Sequence, residues 1–200
     1  MDIVVENLTV QYGKKVVLRN LSVTFKEGET TVVMGPSGCG KTTLINALLG
    51  LVHTTGGRIT GVPSRAACVF QEDRLCEDIS ASENVRIVLR HRSEYSLVEP
   101  ALTAVGLGDS LGKIARELSG GMRRRVAIIR AVLAESGVVV MDEPLKGLDE
   151  ATRDRVVDYI REKTKGKTLI VITHDEREAN LFGADVLRLA QVLQSDTDTV

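Results

Sequence analysis

The sequence predicts an α/β fold on a parallel sheet, and three observations carry that reading. A β-rich run, Thr31–Met34, passes directly into a glycine-rich loop and then a helical pattern near Lys41–Leu49. Apolar runs at Ala67–Phe70, Val138–Met141 and Leu169–Thr173, with a weaker one at Val186–Leu189, have the unbroken hydrophobicity of strands covered on both faces. From Ser80 to Glu135 the pattern is helical, so a helical insertion at about residues 72–135 interrupts the strand-rich remainder.

In chain order, Ile3–Val10 and Val16–Phe25 read as two strands of a hairpin turning at Gln11-Tyr12-Gly13-Lys14-Lys15. Ser80 and Glu83 have capping-box spacing, Gly106 and Gly108 break the helical pattern, and Ser119 is placed to cap a further helix. Asp149–Lys165 is amphipathic, with Val156, Val157 and Ile160 on one side and Arg153, Asp154, Arg161 and Glu162 elsewhere; Asp175–Phe182 is a short helix. Residues 1–71 and 136–190 then form a core, and Gln191–Val200 reads as a polar tail. Two hundred residues suit one such domain.

Composition excludes several classes of function. Lysine and arginine number 26 against 27 acids, so no global positive field holds the chain on nucleic acid or an anionic bilayer. Aromatics make up 3% and tryptophan is absent, which leaves little for base stacking or an interfacial belt. The Arg123-Arg124-Arg125 run therefore reads as a solvated helix face rather than a nucleic-acid site. No apolar run reaches the ~18 residues of a membrane span, and the start Met1-Asp2-Ile3-Val4-Val5-Glu6 lacks the pattern of a signal peptide. Cys39, Cys68 and Cys76 show no CxxC spacing, as expected of reduced thiols in a cytosolic setting.

Gly35-Pro36-Ser37-Gly38-Cys39-Gly40-Lys41-Thr42-Thr43 fits G-x-x-x-x-G-K-[ST] between a strand and a helix. Its backbone N–H groups and the helix N-terminus can cradle a phosphate, Lys41 can reach the β- and γ-phosphates, and the Thr42 hydroxyl can ligate Mg²⁺. Asp142 and Glu143 end the apolar run Val138–Met141, at the strand edge where parallel sheets place ligands. Strand side chains alternate, so the two acids are expected to take different roles: Asp142 in the Mg²⁺ shell, Glu143 on the attacking water. Leu118-Ser119-Gly120-Gly121-Met122 opens a second helix suited to an anion, one more than a single nucleotide needs.

These segments, with Gln71 after Ala67–Phe70, the Gly147-Leu148-Asp149 turn, and His174 after Leu169–Thr173, occur in an order that resembles the nucleotide-binding subunit of an ATP-binding cassette (ABC) transporter. The resemblance covers about residues 3–190 and implies the P-loop NTPase (RecA-like) fold, with a parallel-sheet core, an N-terminal antiparallel β subdomain and an inserted α-helical subdomain. It implies an ATPase that dimerises around two Mg²⁺-ATP, with Ser119 and Gly121 of the signature segment acting in trans and Leu148 and Asp149 at the dimer contact. Glu143, His174 and Gln71 become the catalytic set, Thr42, Gln71 and Asp142 the metal set, and Tyr12 the ring that stacks on adenine. Met122 stands where many members carry glutamine, and Lys146 where a small or aromatic residue is commoner.

The implied partners are a second copy of the chain, a transmembrane permease and, for an importer, an extracytoplasmic solute-binding protein, with no nucleic acid. The implied location is the cytoplasmic side of the cell membrane, held peripherally. Glu72-Asp73 after Gln71 resembles importers of the nitrate, sulfonate and taurine group. The alternatives are a soluble cassette ATPase acting on ribosomes or DNA, and a small P-loop phosphotransferase; the latter accounts for the phosphate loop but not for Leu118–Met122 or His174.

Overall fold

The computed structural model describes residues 1–189. Two sheets form the frame. β1 (Ile3–Tyr12), β2 (Lys15–Phe25), β3 (Thr30–Met34), β4 (Gly56–Thr60), β5 (Ala67–Val69), β6 (Val138–Asp142), β7 (Thr168–Ile172) and β8 (Asp185–Arg188) divide between them. An antiparallel sheet has the order β2-β1-β4, and a parallel sheet has the order β5-β6-β7-β3-β8.

Every residue of β6 and β7 is buried, the expected state of a parallel sheet covered on both sides. The period-2 alternation of side chains sends neighbouring residues into two different cores. Val139, Met141, Leu169 and Val171 pack toward one side with Ile128, Ile129, Val156 and Ile160. Val138, Val140, Ile170 and Ile172 pack toward the other with Leu44, Ile45 and the inner face of the antiparallel sheet, Ile3, Val5, Leu8, Val10 and Phe25. At roughly 1.5–3 kcal/mol for each large apolar side chain fully buried, this sandwiching fixes the directions of the strands that carry the site.

The helices are α1 (Lys41–Leu48), α2 (Ala81–Arg86), α3 (Val98–Ala104), α4 (Gly120–Leu133), α5 (Glu150–Lys163) and α6 (Glu176–Phe182). α2, α3 and α4 fall between β5 and β6, joined by short 3₁₀ turns at Arg92–Leu97, Gly108–Ser110 and Ala115–Glu117 rather than by one continuous helical run. The capping box forms: the Ser80 hydroxyl accepts from the Glu83 N–H, and the Glu83 carboxylate accepts from the Ser80 N–H. Ser119 caps α4 by accepting from the Met122 N–H, and Asp149 caps α5 by accepting from the Thr152 N–H.

Two features depart from the sequence reading. β4 is unexpected, because Gly56-Gly57-Arg58-Ile59-Thr60 has no apolar alternation; cross-strand pairing with β1 and the Arg58–Glu6 ion pair hold it. Gly57, at φ +79, lies so close to the backbone of Glu6 and Asn7 that a Cβ there would overlap them. The Arg123-Arg124-Arg125 run is not a solvated face: the Arg124 side chain is 7% exposed, and all three guanidinium groups bond to main-chain carbonyls of the flanking segments. The tail expected at 191–200 lies outside the described residues.

The chain after β5 is pinned from within the helical region. Asn84, fully buried on α2, donates to the carbonyls of Cys76, Ile79 and Ser80 and accepts from the Cys76 N–H. Replacing it with alanine strands those buried groups, so Asn84→Ala is expected to cost about 2–4 kcal/mol in urea unfolding. A loss below about 0.5 kcal/mol would contradict this pinning.

Candidate nucleotide site

Because β3, β6 and β7 are parallel neighbours, their C-terminal ends emerge on one edge of the sheet. β3 delivers the Gly35–Thr43 loop, β6 delivers Asp142 and Glu143, and β7 delivers Thr173 and His174. Gln71 follows β5 on the flank. Residues far apart in sequence therefore meet around one cavity of about 480 Å³, lined by Ser37, Gly38, Gly40, Lys41, Thr42, Thr43, Gln71, Asp142, Glu143 and His174.

The loop takes the shape that the motif requires. Gly40 caps α1 with a left-handed backbone at φ +102, and a Cβ there would sit 2.6 Å from the Leu18 side chain, so only glycine fits. Lys41 Nζ donates to the carbonyl oxygens of Gly35 at 2.8 Å and Pro36 at 3.0 Å, which folds its ammonium back over the loop's hollow. Cys39 is buried, its N–H donates to the Pro36 carbonyl, and its Sγ fills the space beside Gly35.

At the floor of the cavity the Thr42 hydroxyl donates to Asp142 Oδ2 at 2.7 Å. Asp142 is 3% exposed, and burial pushes its carboxyl up; the Thr42 bond, Lys41 and Arg124 pull it down, while Glu143 adds to the rise. An exposed hydroxyl beside a buried carboxylate gives hard oxygen donors that suit Mg²⁺, which takes one or two protein oxygens and completes its shell with phosphate and water. No cluster of three or more His, Cys, Asp or Glu able to cage a metal occurs among the described residues.

Glu143 leaves the strand by an unusual route. Its φ is +51, a costly conformation for a residue with a side chain, held by its N–H bond to the Ile172 carbonyl at 2.9 Å. This turn ends the strand alternation, so the two acids face one cavity but take different partners: Asp142 meets Thr42, and Glu143 Oε1 lies 2.7 Å from His174 Nδ1.

Some expected residues do not line the cavity. Tyr12, at the end of β1, is 48% exposed and off the wall, where Lys15 and Val17 of β2 stand instead. Leu118–Met122 are also absent from it: Leu118 is buried, Ser119 and Gly120 are exposed, and Gly121 packs beside the carbonyl of Gly147. Leu148 is buried, while Asp149 is exposed and is held below the usual carboxylate range by the Thr152 cap bond. Lys15, Val17 and Lys146 join the wall, although the sequence did not mark them as contacts. For Lys146 the signal was its departure from the usual residue type; Lys15 and Val17 carried none, because a strand residue's facing depends on the register of the hairpin.

Glu143 raises the His174 pKa above its ordinary value, first through the hydrogen bond and then through its charge. The pair's contribution to stability is thus complete below the ordinary histidine pKa of about 6.5 and is lost as pH rises through the raised value. In an NMR titration the His174 ring is expected to titrate above the ordinary range and to fall back toward it in Glu143→Gln. An unchanged midpoint in that variant would contradict the pairing.

Comparison with known proteins agrees with this geometry. A family-level match to ABC transporter covers residues 18–146. The taurine import ATP-binding protein TauB of Ruegeria pomeroyi is 39% identical, with 93% of this chain and 76% of that protein aligned. The Fe(3+) ions import ATP-binding protein FbpC of Brucella abortus is also 39% identical, over 87% of this chain and 54% of that protein. Among solved structures, the dimeric bacterial ABC transporter cassette MJ0796 superposes with a TM-score of 0.83 at 26% identity, covering 94% of each chain. A post-hydrolysis state of the same cassette bound to ADP and Pi gives the same TM-score at 25% identity, again over 94% of each chain. The stretch matched at family level runs from the strand beneath the phosphate loop through both strand-end acids, and on these grounds the chain belongs to the ABC transporter family, as an ATP-binding and ATP-hydrolysing member.

Proposed function

We propose that two copies of this chain close head to tail over two Mg²⁺-ATP and drive solute import through a separate permease. One observation carries the reading: the cavity contains the phosphate loop, both strand-end acids and His174, while the second anion-suited helix start, at Ser119 and Gly120, is exposed and forms no part of its wall. An exposed helix N-terminus that lies outside its own chain's cavity can neutralise the terminal phosphate held by another.

Within each half-site, Gly35–Thr43 holds the phosphates, with Lys41 exchanging its loop carbonyls for phosphate oxygens. Thr42, Asp142 and Gln71 hold Mg²⁺, which when bound neutralises charge on the terminal phosphates. Glu143 accepts a hydrogen bond from the attacking water and orients it. His174, tied to Glu143 through Nδ1, presents its other ring nitrogen to the terminal phosphate. Tyr12 contributes its ring to adenine when the hairpin closes on the base, beside Lys15 and Val17. Leu148 and Asp149 meet the facing copy, which supplies Leu118–Met122.

The permease reading rests on a second surface. An apolar groove of about 670 Å³ beside α1 is lined by Leu49, Leu51, Val62, Pro63, Cys68 and Phe70, the residue that precedes Gln71. Leu51 is 55% exposed there, which suits a covering helix from a partner. No helix among the described residues is long and apolar enough to cross a membrane, so transport needs a pore from another chain. Import is favoured because relatives at equal identity are named for import of taurine and of Fe(3+). The greater coverage of the taurine protein, with Glu72-Asp73 after Gln71, supports membership of the nitrate, sulfonate and taurine group, served by an extracytoplasmic solute-binding protein. On this reading the chain sits peripherally on the cytoplasmic face of the cell membrane.

Glu143→Gln is expected to leave ATP affinity within a few-fold, lower turnover by roughly a hundredfold or more, and yield an ATP-dependent dimer in size-exclusion chromatography. Unchanged turnover would show that Glu143 does not orient the attacking water. Lys41→Ala is expected to weaken ATP binding by at least roughly tenfold in calorimetry. Full retention of binding would contradict the assignment of the phosphate loop.

A further inference from the structure

The arginines of α4 do something that neither the nucleotide site nor the groove accounts for. Arg124 Nη1 donates to the Phe70 carbonyl at 2.7 Å, Nη2 donates to the Gln71 carbonyl at 2.5 Å, and Nε lies 3.1 Å from Asp73 Oδ1. The side chain is 7% exposed, and a guanidinium at that depth is tolerated only where its N–H groups find acceptors. Two successive carbonyls match its planar fork, which a lysine cannot reproduce, and the Asp73 carboxylate supplies a counter-charge beside it. Arg130 Nη2 donates to the carbonyls of Asp73 and Arg74 at 3.0 Å each, and Arg123 pairs with Glu77. One face of α4 thereby holds the main chain that carries Gln71.

Gln71 needs such a hold. Its side chain lines the nucleotide cavity, it is exposed, and no hydrogen bond to its amide group is found among the described residues. Its position is therefore set by its main chain, and that main chain is fixed by Arg124. The preceding residue, Phe70, lines the apolar groove, so one guanidinium holds adjacent residues that face the groove and the nucleotide cavity.

We propose that Arg124 is a positioning residue for ATP hydrolysis. It sets Gln71 in the nucleotide cavity by gripping the carbonyls of Phe70 and Gln71 from the helix that begins at the signature segment. A shift of the start of α4 then moves Gln71 with it, which ties the trans-acting end of one copy to its own half-site. This inference rests on Gln71 belonging to the ATP site.

The test is a double-mutant cycle on the purified full chain with Mg²⁺ and ATP. Gln71→Ala, Arg124→Gln and the double variant are compared for kcat per ATP-binding site, KM for ATP, and ATP affinity without turnover. Each single variant is expected to lower kcat roughly tenfold, the scale of a misplaced catalytic group, with KM and affinity within about threefold. The double variant is expected to be no slower than Gln71→Ala, because both changes remove the same element. Arg124→Lys, which keeps the charge without the fork, falls between wild type and Arg124→Gln; if Arg124→Gln does not fold, the cycle is run with Arg124→Lys under the same criterion. A double variant whose loss is the product of the two single losses overturns the proposal, as does an Arg124 variant whose kcat per binding site is unchanged. Unchanged kcat in Gln71→Ala alone sinks the Gln71 assignment itself, a result distinct from multiplicative losses, which sink only the route through Arg124.

Discussion

The bond from the Thr42 hydroxyl to the Asp142 carboxylate is the constraint on which the rest of the site depends. It joins the first turn of α1 to the end of β6, two points a hundred residues apart in sequence. One partner is positioned by local backbone geometry and the other by burial. Thr42 is placed by the glycine-capped start of α1, and Asp142 by a strand whose every residue is buried. An uncompensated carboxylate at that depth would be costly, so the bond and the nearby Lys41 and Arg124 charges make the floor of the cavity tolerable and leave oxygen donors where a cation can use them.

Around that floor the structure concentrates opposite tendencies. Glu143 is held in a strained backbone conformation and drives the neighbouring histidine toward its charged form, while Asp142, one residue earlier, is driven toward protonation by burial. Adjacent carboxylates thus take different partners because one lies inside the sheet and the other has turned out of it. The signature helix closes no part of its own cavity, yet its body grips the segment after β5. On the proposed reading, the chain presents half of a site and a device that reports on the other half.

Much of this was legible in the sequence, for physical reasons. The parallel core announced itself because strands covered on both faces cannot avoid unbroken apolar runs, as at Val138–Met141 and Leu169–Thr173. The phosphate loop was legible because Gly40 and its neighbours are dictated by backbone conformation. β4 was not, since a strand held by cross-strand pairing and an ion pair need show no hydrophobic period. Arg124 was misread for a related reason: three consecutive arginines look solvated until the fold brings the carbonyls of Phe70 and Gln71 against them. Lys15 and Val17 illustrate the same limit, because the residues of the hairpin that face the cavity depend on strand register, which the sequence left open.

On the proposed reading each site is completed by a second copy, so catalysis depends on self-association. That dependence is tested most directly by ATP turnover per subunit as the concentration of the purified chain is raised from far below to far above its self-association range. A site assembled in trans requires turnover per subunit to climb with concentration and then level off as dimers saturate. Turnover per subunit that stays constant across the whole range would contradict a site assembled in trans.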